Sequence, residues 1–186
     1  SEMCIRDRFD GATSFNQSLD SWNVYSVTNM NSMFRDASSF NQLIGNWNVS
    51  NVETMENMFI RASAFNQDIS SWIVSSVTNM HNMFYKTPFN QALNPWNVSS
   101  VTRMDYMFYG ASVFNRQLHD WDVSSVTDMS YMFVDTTKFN PNLHQSTIGI
   151  DSWNVSNVKK MQYMFHKSGF NKPLNAWDVS LSLIHI

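Results

Sequence analysis

The hydrophobic positions of this chain recur in a fixed frame with a period close to 25 residues. In the first copy the apolar positions are Phe15, Leu19, Trp22, Val24, Val27, Met30, Met33, Phe34 and Ala37. The Phe-Asn pair that opens this copy recurs at Phe40, Phe65, Phe89, Phe114, Phe139 and Phe170. Such a period is typical of repeat proteins, in which each unit packs against its neighbours. The pattern predicts one stack over residues 9–180, with partial units at 9–14 and 170–180 and repeats 1–6 starting at residues 15, 40, 65, 89, 114 and 139.

The spacing inside one repeat predicts two short elements. Trp22 and Val24 are two residues apart, which places both side chains on one face of a strand near residues 21–25. From Val27 the apolar steps are three, three and one, which favours a helical or 3₁₀ segment over residues 28–35. The predicted fold class is an α/β repeat: a right-handed, leucine-rich-repeat-like solenoid. Each repeat of about 25 residues would hold one short parallel β-strand and one short helical or 3₁₀ segment.

The bulkiest residues occupy fixed slots of the repeat. All seven Trp share one slot, twelve of the thirteen Met form MxxMF pairs, and all fourteen Phe fall at repeat positions. The Trp column could be an aromatic platform for sugars, but it shares the predicted strand face with a column of Val. A face that buries Val must also bury Trp, so we expect Trp and the Met pairs to form the core.

The Asn of the Phe-Asn pair is present at all seven starts: Asn16, Asn41, Asn66, Asn90, Asn115, Asn140 and Asn171. An Asn at a fixed turn position can satisfy backbone groups of its own unit and of the next one. We expect these residues to form a buried structural ladder between repeats. A row of ligand-binding amides is the alternative.

The opposite face of the predicted strand is the candidate binding surface. Its two columns hold Asn23, Tyr25, Asn48, Ser50, Ile73, Ser75, Asn97, Ser99, Asp122, Ser124, Asn154 and Ser156, and continue at Asp178 and Ser180. Concave faces of repeat proteins often bind partners, and a small, polar, nearly uniform surface suits an extended partner such as a glycan. The alternative is that these residues only keep a tightly packed ladder solvated.

Charge and motifs narrow the function. A net charge of −3 with 15% charged residues gives no basic patch for nucleic acid. No apolar run approaches the roughly 18 residues that a membrane span needs. The chain has no HExxH, CxxC, phosphate-loop or GxSxG motif, so neither a cofactor nor an enzyme is predicted. A metal at His119, His144 and Asp120, and a polysaccharide-acting enzyme using Asp122 and Asp178, are weaker alternatives.

Three segments depart from the frame. The distance from Phe139 to Trp153 is fourteen residues instead of seven, because of an insertion at His144–Ile150 that could be a binding loop or a tolerated bulge. Residues 1–8 and 181–186 match no repeat position. Back-translated, they resemble a sequencing-library adapter, so we expect both segments to be non-native and leave them out of the fold.

The repeat frame LxxWxVxxVxxMxxMFxxA, preceded by FNQ, resembles the bacterial surface-protein repeat also found in mycoplasma lipoproteins. It is similar to the treponemal-type leucine-rich repeats of BspA-like surface proteins, with MF in place of their AF pair. The resemblance covers residues 9–180 and implies a leucine-rich-repeat-like stack, secretion and attachment at the cell surface. We therefore expect an extracellular, non-enzymatic module that binds a surface protein, matrix protein or glycan, flanked by repeats of the same chain. A purely structural spacer is the alternative.

Overall fold

Successive repeats are joined by a ladder of parallel backbone bridges. The computed structural model describes residues 8–140 and 149–182. Isolated parallel bridges join Asn29, Thr54, Asn79, Arg103, Asp128 and Lys160 in that order, one residue per repeat. Each bridge pairs equivalent positions of neighbouring repeats, so the repeats stack on one another. Within the described ranges, no helix is long and apolar enough to cross a lipid bilayer.

The backbone around each MxxMF pair donates its hydrogen bonds to the next repeat. In repeat 1 the N–H groups of Met30, Ser32, Phe34 and Asp36 donate to the carbonyl oxygens of Thr54, Glu56, Met58 and Ile60, at 3.0, 3.0, 2.9 and 2.7 Å. Between these bonds the chain folds into tight turns. The Met33 N–H donates to the Met30 carbonyl at 3.3 Å, and the Ala37 N–H donates to the Phe34 carbonyl at 3.1 Å.

These turns replace the helical or 3₁₀ segment predicted for residues 28–35. Ser32 and Asp36, the third residues of the two turns, have φ angles of 56° and 58°. The same left-handed positions recur at Asn57, Arg61, Asn82, Lys86, Tyr106, Gly110, Tyr131, Asp135, Tyr163 and Lys167. A positive φ is what a type II turn requires at its third residue, and it cannot continue a right-handed helix. The helical prediction is wrong because steps of three and one arise here from consecutive turns.

Two further turns occupy the place of the predicted strand near residues 21–25. The Trp22 N–H donates to the Leu19 carbonyl at 3.0 Å, and the Val27 N–H donates to the Val24 carbonyl at 2.9 Å. Parallel pairing occurs instead at Asn29 and its equivalents, and only as single bridges. In the described part of the chain, regular helix is confined to a 3₁₀ turn at Ile150–Ser152. The predicted α/β repeat, a right-handed leucine-rich-repeat-like solenoid with a strand and a helical segment per repeat, is therefore wrong.

The hydrophobic core is a set of stacked aromatic and Met columns. Phe34 stacks on Phe40 at 4.0 Å between ring centroids, and on Phe59 of the next repeat at 5.6 Å. The core also buries five Trp side chains and the Met pairs of repeats 1–5: Trp47, Trp72, Trp96, Trp121, Trp153, Met30, Met33, Met55, Met58, Met80, Met83, Met104, Met107, Met129 and Met132. Each of these indoles donates its N–H to a backbone carbonyl of the preceding repeat, as Trp96 does to Ile69 at 3.0 Å. The predicted Trp and Met core is confirmed for these residues, and their buried rings are not a sugar platform.

The predicted Asn ladder is confirmed over five steps, but its residues are half-buried or exposed and not buried. Five side-chain oxygens accept the backbone N–H of the Asn in the next repeat at 2.8–3.0 Å: those of Asn16, Asn41, Asn66, Asn90 and Asn115. The Asn side chain thus satisfies a donor that belongs to the next unit, which an apolar side chain could not do. Most of the insertion at His144–Ile150 lies outside the described residues, as do residues 1–7 and 183–186 of the two predicted adapter segments.

Candidate functional site

The sequence-predicted binding columns form a row of identical exposed turns, which we call the Asn/Ser row. In this row the side-chain oxygen of the first residue accepts the backbone N–H two residues later. For example, Asn48 Oδ1 lies 3.2 Å from the Ser50 nitrogen, and Asp122 Oδ1 lies 3.0 Å from the Ser124 nitrogen. The same bond closes the turns that begin at Asn23, Asn97, Asn154 and Asp178. The geometry is that of Asx turns, not of a β-strand.

In the Asn side chains of the Asn/Ser row, the amide oxygen is hydrogen-bonded within the protein and the NH₂ group is not. The oxygens of Asn48, Asn97 and Asn154 accept the backbone bond, and each also accepts the Ser hydroxyl of its turn at 2.7–2.8 Å. Their NH₂ groups, and that of Asn23, are exposed and have no hydrogen-bond partner among the described residues. Repeat 3 departs from the row because Ile73, 61% exposed, replaces the Asn, so the N–H of Ser75 has no such acceptor.

The carboxylates of the Asn/Ser row have the wrong proton affinity for a general acid. Hydrogen bonds from the Ser124 hydroxyl and backbone lower the pKa of Asp122 below its ordinary value of 3.8. Hydrogen bonds from the backbone and hydroxyl of Ser180 likewise lower the pKa of Asp178. A glycosidase acid needs a raised pKa. The geometry therefore gives no support to a polysaccharide-acting enzyme built on these two residues.

The weaker metal-site hypothesis receives no further ligand from the described residues. His119 Nε2 lies 3.4 Å from Asp120 Oδ1. His144 lies outside the described residues. Across 8–140 and 149–182, no group of three or more His, Cys, Asp or Glu side chains converges on a point that could hold an ion.

A second surface, which the sequence reasoning missed, carries five of the six Tyr residues. We call it the tyrosine face: Tyr85, Tyr106, Tyr109, Tyr131 and Tyr163. The rings form two stacks across the repeats. Tyr106 stacks on Tyr131 at 4.6 Å and Tyr131 on Tyr163 at 5.2 Å, while Tyr85 stacks on Tyr109 at 4.8 Å. No Tyr hydroxyl of this face is hydrogen-bonded to another described residue, so all five remain available to a ligand.

A buried carboxylate anchors the edge of the tyrosine face. The side chain of Asp105 is 7% exposed; His81 Nδ1 lies 2.6 Å from its Oδ2, and Arg103 binds both its oxygens at 3.0 and 3.1 Å. Burial raises the pKa of Asp105, but the hydrogen bonds from His81 and Arg103 outweigh burial and hold that pKa below 3.8. The His81 ring in turn meets Tyr106 edge-on, with 5.9 Å between centroids. Asp105 thus fixes the position of His81 beside the first Tyr of a stack.

A cleft of about 340 Å³ opens at this point and is lined by Ile60, Arg61, His81, Asn82, Tyr85 and Tyr106. Asn82 uses both amide hydrogens, one on Asn57 Oδ1 at 3.0 Å and one on His81 Nε2 at 2.7 Å. Arg61 is held by Asp36 of the preceding repeat at 2.6 Å. The cleft therefore combines two aromatic rings with polar side chains whose positions are fixed by neighbouring repeats.

The sequence contained one signal for the tyrosine face. Tyr residues fall repeatedly in two slots: directly before the second Met of the pair at Tyr106, Tyr131 and Tyr163, and directly after the following Phe at Tyr85 and Tyr109. Sequence reasoning placed these slots three residues apart on a helical segment and assigned them no role, although that spacing also lies on one helix face. In the structure the turns bring the two slots together, with 5.8 Å between the Tyr106 and Tyr109 ring centroids.

Comparison with known protein families gives a match that extends over nearly the whole chain. The family model described as "Mycoplasma protein of unknown function, DUF285" matches residues 3–88, 68–149 and 146–183. No curated protein and no solved structure matches the chain. The repeats that the sequence shows and the structure stacks are the repeats of this family, and the chain belongs to it.

Proposed function

We propose that the chain is a non-enzymatic recognition module that binds an extended partner, a glycan or a matrix or surface protein, outside the cell. The observation that carries this proposal is the repetition of one exposed turn along the Asn/Ser row. Each Asn turn holds its amide oxygen in the turn and leaves two N–H donors directed to solvent. A partner that presents acceptors at regular intervals could bind several turns at once, and such binding strengthens with the number of turns engaged.

The proposed location rests on the resemblance of the repeat frame to those of BspA-like surface proteins. That relation is itself part of the proposal, because the family that matches the chain is one of unknown function. Nucleic acid is a poor partner for a chain with a net charge of −3.

Binding to immobilised glycans and to matrix and surface proteins tests the proposal directly. The decisive variant replaces Asn48, Asn97 and Asn154 together by Asp. Asp122 already closes the same turn in repeat 5, so the fold should persist while the N–H donors become carboxylate oxygens. We expect the triple variant to keep its thermal midpoint and to lose most of the binding.

The matched control is Asn51→Asp, because Asn51 is also exposed but donates its amide to the Tyr25 carbonyl at 2.8 Å and is not a member of the Asn/Ser row. Equal binding by the triple variant and the wild-type chain would remove the Asn/Ser row as the binding surface. Wild-type protein that binds nothing on either array would contradict the proposal as a whole.

A structural spacer is the second candidate, and one observation favours it. In five repeats the Oδ1 atom of the Asn or Asp already accepts a hydrogen bond within its own turn, so the uniformity of these residues follows from backbone geometry without a partner. If the chain is a spacer, shortening it by whole repeats should reduce the reach of a neighbouring domain without changing the affinity of that domain.

A further inference from the structure

The cleft on the tyrosine face lies where both Tyr stacks begin. Tyr106 starts the stack that continues through Tyr131, and the equivalent slot in repeat 3 holds Asn82. Tyr85 starts the stack that continues to Tyr109, and the equivalent slot in repeat 2 holds Ile60. Neither Asn nor Ile can supply the next aromatic ring. The two stacks therefore end at the cleft, and a flat ligand could continue them.

The charged groups that line the cleft are paired. Arg61 is paired with Asp36, and the Asp105 carboxylate that holds His81 is also paired with Arg103. The Lys86 ammonium lies 5.5 Å from the centre of the Tyr85 ring. Hydrogen-bonding capacity nevertheless remains. Both amide hydrogens of Asn82 are already hydrogen-bonded, and its side-chain oxygen remains as an acceptor. The hydroxyls of Tyr85 and Tyr106 have no partner among the described residues. The guanidinium of Arg61 uses two of its nitrogens on Asp36 and has further N–H groups to donate.

Aromatic rings, paired charges and mixed donors and acceptors together describe a site for a sugar ring. A pyranose has one face of C–H groups, which the electron-rich face of an aromatic ring attracts, and an edge of hydroxyls that both donate and accept. The volume of about 340 Å³ is at the small end for a ligand site, which suits one ring with the rest of a chain outside. The guanidinium that lines the cleft, that of Arg61, is already paired with Asp36, which favours a neutral ligand over an anionic one.

We propose that this cleft binds a neutral pyranose unit of a glycan, stacked against Tyr106 and Tyr85. The proposal rests on the recognition function proposed above and narrows it, because it names a glycan as the partner class and places contact on the tyrosine face. A protein partner that inserts an aromatic side chain at the same place is the competing outcome.

Saturation-transfer NMR of the whole chain with the methyl glycosides of glucose, galactose, mannose, N-acetylglucosamine and N-acetylgalactosamine tests the proposal. Single sugars bind proteins weakly, so ligand concentrations of about 1–10 mM are appropriate. We expect at least one glycoside to receive saturation, strongest at the ring C–H groups that face Tyr106. Tyr106→Ala and Tyr85→Ala should each weaken binding about tenfold or abolish it.

Two controls keep the result interpretable. Leu43→Ala removes a side chain that is 67% exposed and belongs to neither the Asn/Ser row nor the tyrosine face, and it should leave glycoside binding unchanged. Tyr106→Phe keeps the ring and removes the hydroxyl, so it should retain the stacking and lose only the hydrogen bond. If Tyr106→Ala lowers the thermal midpoint, the Phe variants Tyr106→Phe and Tyr85→Phe take the place of the Ala variants. Their glycoside binding is compared with that of the wild-type chain at a temperature where all are folded, and the lost hydroxyl should weaken it.

The outcomes separate this proposal from the proposed function. Glycan binding that survives both Tyr→Ala variants but not the Asn→Asp triple variant would overturn the tyrosine-face site and keep the recognition function. Binding of a protein, with no glycoside bound by the wild-type chain, would overturn the sugar assignment alone. Failure to bind any glycan or protein would overturn both.

Discussion

The Asn/Ser row and the tyrosine face differ in where their hydrogen bonds and contacts go. In the Asn/Ser row the side-chain bonds are local, between residues two apart, and the same turn recurs in nearly every repeat. On the tyrosine face the contacts run between repeats and involve different residues each time, as in the His81–Asp105 pair and the Tyr106–Tyr131 stack. A local bond fixes the shape of one turn. A contact between repeats fixes how two neighbouring units lie against each other.

This difference bears on function. The Asn/Ser row offers the same chemistry repeatedly and can select only for a repeated partner. The tyrosine face changes from repeat to repeat and concentrates its aromatic and charged groups in repeats 3–6, so it can distinguish one ligand from another. Substitutions that act on one surface and spare the other test this division.

The largest effect is expected in the core beneath both surfaces. Trp96 is 2% exposed, stacks on Trp72 at 6.3 Å and donates its N–H to the Ile69 carbonyl. Trp96→Ala should lower the free energy of unfolding by about 3–5 kcal/mol, through the lost burial and the cavity left behind. Urea denaturation followed by circular dichroism measures this change.

The matched control is Trp22→Ala, in the same slot of repeat 1. Trp22 is only partly buried, and its indole has no hydrogen-bond partner among the described residues. We expect a clearly smaller loss there. Equal losses in the free energy of unfolding at the two positions would mean that burial does not determine how much a Trp of this column stabilises the chain.

The next largest loss of stability is expected at the buried carboxylate of Asp105 on the tyrosine face, compared with the exposed carboxylate of Asp122 in the Asn/Ser row. Asp105→Asn removes two charge-assisted contacts and should cost about 1.5–3 kcal/mol at neutral pH. Asp122→Asn changes an exposed group and should stay within about 0.5 kcal/mol of wild type.

Lowering the pH should reduce the difference in the free energy of unfolding between wild type and Asp105→Asn. The pKa of Asp105 is lowered in the folded chain by His81 and Arg103 against the effect of burial, so its contribution is full above 3.8 and is lost as the pH falls below that value. The free energies of unfolding of wild type and Asp105→Asn should therefore converge below pH 3.8. A difference that stays constant down to pH 2 (roughly two units below the ordinary pKa of Asp) would contradict the assigned ion pairs.

The sequence predicted which residues form the core and the Asn ladder, but it did not predict the backbone conformation of the repeats. The period and the fixed slots of Trp, Met and Asn predicted the core and the Asn ladder, because both follow from the burial and hydrogen-bonding capacity of the side chains. The strand and helical segment were wrong because spacings of two, three and one also arise from consecutive turns. Residues such as Arg61 and Tyr131 have positive φ angles although neither is typical of left-handed positions. Gly11 and Gly110, in the same slot as Arg61, were the residues whose identity most clearly indicated such a turn.

Gly110 allows that backbone conformation to be tested. Its φ is +68°, and an added Cβ would lie 2.8 Å from Lys86 Cγ. Gly110→Ala should cost about 1–2 kcal/mol, since an L side chain is disfavoured in the left-handed region. In a Lys86→Ala background the steric contribution disappears and the backbone contribution remains. A neutral effect of Gly110→Ala in both backgrounds would contradict the left-handed turn at this position.

The smallest effect is a gain on the Asn/Ser row. Ile73 is the exception in repeat 3, so the N–H of Ser75 lacks the acceptor that Asn48 and Asn97 supply to their turns. Ile73→Asn should restore the bond and raise the free energy of unfolding by about 0.5–1 kcal/mol. Ile73→Ala removes the same exposed side chain without adding an acceptor, and it isolates the hydrogen bond. If Asn and Ala at this position are equally stable, the turn does not depend on its side-chain acceptor, and the uniformity of the Asn/Ser row must then be explained by what the row binds.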